Sequence, residues 1–379
     1  MKTVKFSYKK SSNFSNTIKN LRWYRLHIDP VLMMLLLLLC GVGLLILYSA
    51  SNSNFNMVEK QAARMLGGFV LLFIFASIPP IYYKRWAPWF FTITLVLLIF
   101  VLLFGYTSQG ARRWLNLGIF HFQPSEFMKL AMPIMLAYYL CNKPLPPRTF
   151  HLTVAACLLA IPVLLTAKQP DLGTAILIGF SGFFVLLLAG LSWRLLLSIV
   201  VVGAGCTPIL WHFMHQYQRN RVLTLLNPER DPLGTGYHII QSKIAIGSGG
   251  FMGRGFLHGT QSHLQFLPAH ATDFIYAVAS EEFGFIGCFA IILVFLAVLG
   301  RCLYISTQAQ SNFNRLLAGS LCLTFFISAF INIGMVIGIL PVVGVPLPLI
   351  SYGGSSILTT MASFGMIMSI HTHRKLWSS

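Results

Sequence analysis

The stretch Val31-Leu-Met-Met-Leu-Leu-Leu-Leu-Leu-Cys-Gly-Val-Gly-Leu-Leu-Ile-Leu-Tyr-Ser49 contains no charge and no proline. A bilayer core about 30 Å thick is spanned by about 20 such residues as a helix. Comparable runs recur near 65–80, 87–104, 124–141, 150–167, 172–190, 193–212, 273–300, 315–338 and 355–370. The pattern predicts an all-α polytopic membrane protein with about ten spans. The 273–300 run is long enough to tilt or to begin outside the bilayer. Composition agrees: 56% of the 379 residues are hydrophobic and only 9% charged, with mean hydropathy +0.73. Soluble domains carry about 25% charged residues.

The net charge of +18 invites a nucleic-acid role, but the placement of the cations argues against one. Seven lie before the first run, from Lys2 to Arg25, and alternate connections carry Lys84/Arg85, Lys143/Arg148, Arg194, Arg301 and Arg315. Arg374 and Lys375 follow the last run, whereas the short opposite loops hold only Lys60, Arg64, Arg112, Arg113 and Lys168. This is the positive-inside bias. It predicts a cytoplasmic basic tail (1–30), one transmembrane domain (31–370) and a cytoplasmic tail (371–379). The first run reads as a retained anchor rather than a cleaved signal. No cysteine falls in an outer loop, so no disulfide framework is expected.

Two outer segments interrupt the pattern. Residues 212–272 form a long loop, within which Tyr237–Ile246 has helical spacing suited to lying flat on the membrane surface. Gly338-Ile-Leu-Pro-Val-Val-Gly-Val-Pro-Leu-Pro-Leu-Ile-Ser-Tyr-Gly-Gly354 is apolar, yet its prolines and glycines forbid a plain helix. Such backbone at membrane depth must be buried in protein or line a wet cavity. It therefore reads as a re-entrant wall open to the outside, and Ser351 within it is a candidate substrate contact.

A charge within a span costs about 2.5–3.5 kcal/mol on insertion scales, which makes the nine acidic residues informative. Five lie at or inside the outer halves of spans: Glu126, Asp171, Asp273, Glu281 and Glu282. Glu126 stands three residues before Lys129, on one helical face, either as a salt bridge or as a substrate-contacting pair. Asp171 opens a span and suits a helix cap as well as a site role. Asp273 also opens a span; as a cap it needs no further role, and as a partly desolvated carboxylate it would serve as a general base. Glu281 and Glu282 fall about 12 Å deeper along a continuous helix; bracing is the reading favoured for them. Arg112 and Arg113 occupy a loop where topology disfavours cations, and guanidinium groups clamp phosphate oxygens. Trp114 beside them suits sugar stacking or interfacial anchoring. Gly247–Gly255 looks like a nucleotide loop but lacks a Walker lysine. His238, His258, His263 and His270 lack a compact ligand spacing.

Gly110-Ala-Arg-Arg-Trp-Leu-Asn-Leu-Gly, Gln123-Pro-Ser-Glu-Phe-Met-Lys, Gln169-Pro-Asp-Leu-Gly-Thr, Asp273-Phe-Ile and Pro346-Leu-Pro-Leu-Ile-Ser-Tyr-Gly-Gly-Ser, in this order, resemble the SEDS family (shape, elongation, division and sporulation). Gly236–Gly250 and His258-Gly-Thr-Gln-Ser resemble its elongation branch rather than its division branch. The resemblance implies a peptidoglycan glycosyltransferase that polymerises lipid II outside the cytoplasmic membrane and releases undecaprenyl pyrophosphate. It also implies a partner, a class B penicillin-binding protein in an elongation complex. Asp273 then matches the essential aspartate, Glu126 and Lys129 the polar pair of a central cavity, and Asp171 a further cavity acid. The family's glutamate after the proline is absent here, where Ala269 follows Pro268, and His270 is displaced by one position. A tightly held metal is not expected, although a weakly bound Mg or Mn ion could assist the leaving group. The rival readings are a lipid II flippase and a non-catalytic scaffold.

Overall fold

The computed structural model describes residues 27–108, 111–116, 121–214, 216–230, 235–259 and 271–373. The basic tails, Asp231, His263 and His270 lie outside the described residues. Among those described, twelve α-helices follow one another: α1 (Pro30–Ala50), α2 (Phe55–Ser77), α3 (Pro80–Phe104), α4 (Pro124–Leu140), α5 (Thr149–Lys168), α6 (Leu172–Leu188), α7 (Trp193–Phe213), α8 (Gln216–Leu226), α9 (Thr235–Gly249), α10 (Ile275–Thr307), α11 (Asn312–Ile337) and α12 (Ser355–Thr372). Six (α1, α2, α3, α5, α10 and α11) are long and apolar enough to cross a membrane, and the shorter α6 and Trp193–Pro208 are apolar too. Their outward faces carry Leu37, Leu45, Ile93, Phe104, Val200 and Val202, all exposed. Water does not tolerate a surface like this, and a bilayer does. The protein is membrane-embedded.

The core runs through α4, α11 and α12, where Met128, Met132, Leu136 and Phe364 are fully buried. Small residues bring helices close, as expected where lipid removes the hydrophobic drive. A side chain at Gly365 would stand 2.6 Å from the Leu72 carbonyl of α2, so α2 and α12 touch backbone to side-chain stub.

The structure departs from the sequence reading in four places. First, the loop after α3 is not irregular: β1 (Tyr106–Ser108), β2 (Ala111–Asn116) and β3 (His121–Phe122) form a small antiparallel sheet in that order, within a fold that is otherwise helical as expected. Hydropathy sees only that this segment is polar, and not that its aromatic residues favour strand pairing. Second, α2 begins at Phe55, so Glu59, Lys60 and Arg64 are helical rather than in a loop. Third, one face of α9 is packed into the protein: Ile239, Ser242 and Ala245 are buried, and the Ser242 hydroxyl donates to the Val336 carbonyl of α11 at 2.8 Å. Fourth, the 273–300 span is not one helix, because α10 is broken at Gly284 (φ 63°, ψ −161°).

At the opposite end, buried Asp29 accepts from the Leu32 amide (2.8 Å) as the α1 cap. It also takes two bonds from Arg301 of α10, at 3.2 and 2.6 Å, with His371 of α12 3.1 Å away. Three helices thus meet on one carboxylate. Asp29→Asn keeps the cap but strands a partly buried guanidinium, and is expected to cost about 3 kcal/mol. The check is the thermal midpoint of the detergent-solubilised protein, which Asp29→Ala lowers further by losing the cap, about 1 kcal/mol more.

Candidate active site

Asp273 lies two residues before α10, whose N-cap is Phe274 with no side-chain cap bond. Its carboxylate is therefore not spent on the helix end. Its main chain is fixed instead: the Asn332 amide of α11 donates to the carbonyls of Asp273 (2.9 Å) and Val345 (2.7 Å). Burial pushes the carboxyl above the ordinary carboxylate value, while the guanidinium groups of Arg221 and Arg113 pull it part of the way back.

Asp171 caps α6 through the Thr174 amide (3.3 Å) and also accepts from the Thr174 hydroxyl (2.8 Å) and from Gln123 (3.0 Å). Arg113 adds an ion pair at 3.8 Å. With its oxygens so occupied, this buried group holds Arg113 and the Gln123 turn rather than presenting a free face to substrate. Arg113 also donates to the Pro170 carbonyl at 3.1 Å, and its Nε is buried without a hydrogen-bond partner among the described residues. Arg112 precedes it on β2, but its side chain lies outside those described. Trp114 is half-buried on the same strand, its backbone opposite Tyr106.

Glu126 stands in the first turn of α4, with Pro124 at the helix start. Lys129 contacts it at 2.7 Å, and the Thr359 hydroxyl of α12 donates to the same oxygen at 3.2 Å. Lys129 borders a small cavity of about 40 Å³, lined by Thr324, Ser328, Thr359, Thr360 and Ser363 together with apolar Leu130, Leu321 and Phe325. The salt-bridge reading of the pair holds, since the two charges neutralise each other, and the ammonium also borders the cavity.

The irregular segment 338–354 ties these groups together. A side chain at Gly173, two residues past Asp171, would meet the Val343 carbonyl at 2.8 Å. One at Gly344 would stand 3.6 Å from Asp273 Oδ2. Pro348 lines the Lys129 cavity. Residues 343–348 cover at most about 20 Å of chain, so Asp171, Asp273 and Lys129 gather round one short wall. Ser351, expected as a substrate contact, is buried, and its hydroxyl is consumed internally. It accepts from the Leu347 amide at 2.8 Å and donates to the Thr272 carbonyl at 2.5 Å. Gln61 of α2, also buried, donates to the Ser351 carbonyl at 2.9 Å. Ser351 and Gln61 fasten the wall beside Asp273.

Sequence reasoning missed Arg221, Asn332 and Gln61. Arg221 had a signal, a cation in an outer loop, as Arg113 did. Its neighbour Arg219 donates to the Trp211 and His212 carbonyls at 2.9 and 2.6 Å. Asn332 and Gln61 carried only the weaker mark of an amide buried in an otherwise apolar helix. Among the described residues no three His, Cys, Asp or Glu groups converge to hold a metal ion.

The FtsW/RodA/SpoVE family model, described as a cell cycle protein, matches residues 30–376. The Escherichia coli K12 peptidoglycan glycosyltransferase MrdB is 51% identical over 96% of this chain and 98% of its own length. A probable peptidoglycan glycosyltransferase FtsW of Geobacter metallireducens is 35% identical over 96% and 98%. Among solved structures, a chain of a peptidoglycan synthase complex coordinating polymerization and crosslinking superposes with a TM-score of 0.81 at 32% identity, covering 92% of this chain and 98% of that one. The Thermus thermophilus rod shape determining protein RodA superposes at 0.70 with 27% identity, covering 92% and 98%. With a family model spanning nearly its whole length and relatives this similar, the chain belongs to the FtsW/RodA/SpoVE (SEDS) family and is a peptidoglycan glycosyltransferase.

Proposed function

We propose that this glycosyltransferase polymerises lipid II at the outer face of the membrane, with Asp273 as general base. Asp273 takes the proton from the 4-hydroxyl of the acceptor's GlcNAc. That oxygen attacks the anomeric carbon of the growing chain's terminal MurNAc with inversion, and the bond to undecaprenyl pyrophosphate breaks. The departing anion takes the charge. Arg113, held beside Asp171 and close enough to act on the Asp273 carboxyl, supplies one positive charge to meet it, and Lys129, which borders a cavity, supplies another. Both are donors set in place before charge develops, where they act most strongly. No step runs through a metal. In this reading both termini are cytoplasmic, and a class B penicillin-binding protein cross-links the product.

The observation that carries the proposal is the wall 343–348, which touches the surroundings of Asp171, Asp273 and Lys129 together. It is supported by an Asp273 carboxylate that is neither a helix cap nor freely solvated. The test is polymer formation by purified protein from labelled lipid II in detergent. Wild-type polymer supports the enzyme reading. Lipid II crossing a vesicle bilayer without polymer, with or without the cross-linking partner, would indicate transport.

The arginines predict a pH effect. A general base must be ionised, so activity falls as pH drops through the Asp273 pKa. Arg221 lowers that pKa, so Arg221→Gln raises it and moves the acid limb of the kcat profile to higher pH. A limb that stays in place or moves to lower pH would contradict the assignment.

A further inference from the structure

Two features noted in the sequence have no part in the proposed chemistry: the adjacent acids Glu281 and Glu282, and the glycine-rich Gly247–Gly255. They meet at the break in α10. The φ of 63° at Gly284 ends the helical ladder, leaving carbonyls above the break and amides below it without helical partners. At membrane depth each such group costs several kcal/mol unless satisfied. The glycine-rich loop satisfies both sets. Arg254 N and Gly255 N donate to the Glu281 and Glu282 carbonyls, each at 3.0 Å. Phe285 N and Ile286 N donate to the Gly250 and Phe251 carbonyls at 3.0 and 3.3 Å. The contact is backbone to backbone: a side chain at Gly253 would stand 2.0 Å from the Glu282 carbonyl, and one at Gly284 2.3 Å from the Gly253 nitrogen.

The upper piece, Ile275–Phe283, is thus a separate half-helix with Asp273 at its head. Its head is fastened to the irregular wall, since Tyr352 N donates to the Ala271 carbonyl at 2.9 Å and Ser351 to the Thr272 carbonyl. Its foot is pinned by the two acids. The Ser49 hydroxyl of α1 donates to Glu282 Oε1, and Arg254 stands 3.9 Å from Glu281. Both carboxylates are buried and lie about 12 Å along the helix from Asp273, out of reach of a group bonded to it.

We infer that Glu282, through Ser49, and Glu281, through Arg254, are positioning residues that set the height and tilt of the half-helix carrying Asp273. This inference rests on Asp273 being the general base. A misplacement of about 1 Å costs about 100-fold in rate, so the pins act on kcat rather than on substrate affinity.

The test compares Glu282→Ala, Glu282→Gln and Asp273→Asn, as full-length monodisperse protein with labelled lipid II. Glu282→Ala is expected to lose about 30-fold in kcat, with KM within about threefold and the acid limb displaced as Asp273 changes surroundings. Glu282→Gln keeps an acceptor for Ser49 and is expected to retain kcat within about threefold of wild type. Wild-type kcat and acid limb in Glu282→Ala would overturn the inference, as would equal losses in the Ala and Gln variants. Where Glu282→Ala yields no monodisperse protein, Ser49→Ala removes the same bond, and wild-type kcat there overturns the inference equally. Asp273→Asn separates the failures. If it is inactive while Glu282→Ala matches wild type, only the positioning role falls; if it is active, both readings fall.

Discussion

Asp273→Asn is expected to reduce polymerisation by about 1,000-fold or more, the scale of removing a positioned general base, with the fold intact. The asparagine is nearly isosteric, and the backbone there is held by Asn332 through the Asp273 carbonyl, a bond the substitution leaves in place. No helix cap is lost either, because Phe274 occupies that position. Lipid II should still bind, so the loss falls on kcat. The measurement is initial rate against lipid II concentration, beside the thermal midpoint. Wild-type turnover in the Asn variant would remove Asp273 from the reaction.

Arg113→Gln is the second large effect, expected at about 100-fold in kcat, comparable to deleting one oxyanion donor. Three roles end together: the bond to the Pro170 carbonyl, the ion pair with Asp171, and the positive charge proposed to meet the leaving group. The same change withdraws a cation from Asp273, so its carboxyl rises further above the ordinary value and the acid limb moves to higher pH. Measured on the alkaline side of that limb, the remaining loss reports charge stabilisation alone. If activity recovers fully there, Arg113 only tunes the base and does not meet the pyrophosphate.

The polar residues that could be read from sequence were those whose presence in lipid is costly. Glu126 and Lys129 stood out because charges in an apolar run demand each other, and they meet at 2.7 Å. Asp171 and Asp273 stood at equivalent span entrances and looked alike. Yet one is a saturated cap, and the other has a partly desolvated carboxylate that caps nothing. That difference depends on Gln123, Arg113 and Asn332, which reach them from other segments of the chain. Ser351 was placed in the right segment with the wrong task, since a hydroxyl's employment depends on which carbonyl stands 2.5 Å away. The β2 strand and the turned-in α9 escaped because their stability comes from pairing and burial against distant residues.

By itself the sequence determined that the chain is a membrane protein, where its apolar helices run, and which family's motifs it carries. Transfer into lipid is a sum over consecutive residues, and such sums can be read along a line. Only the tertiary structure decided that residues 343–348 would gather Asp171, Asp273 and Lys129 round one wall. It alone decided that α10 would break at Gly284 and that a loop about thirty residues earlier would splice the break. Those outcomes rest on hydrogen bonds between distant segments. Their energy depends on where backbones meet in space, and no local property of the chain records that.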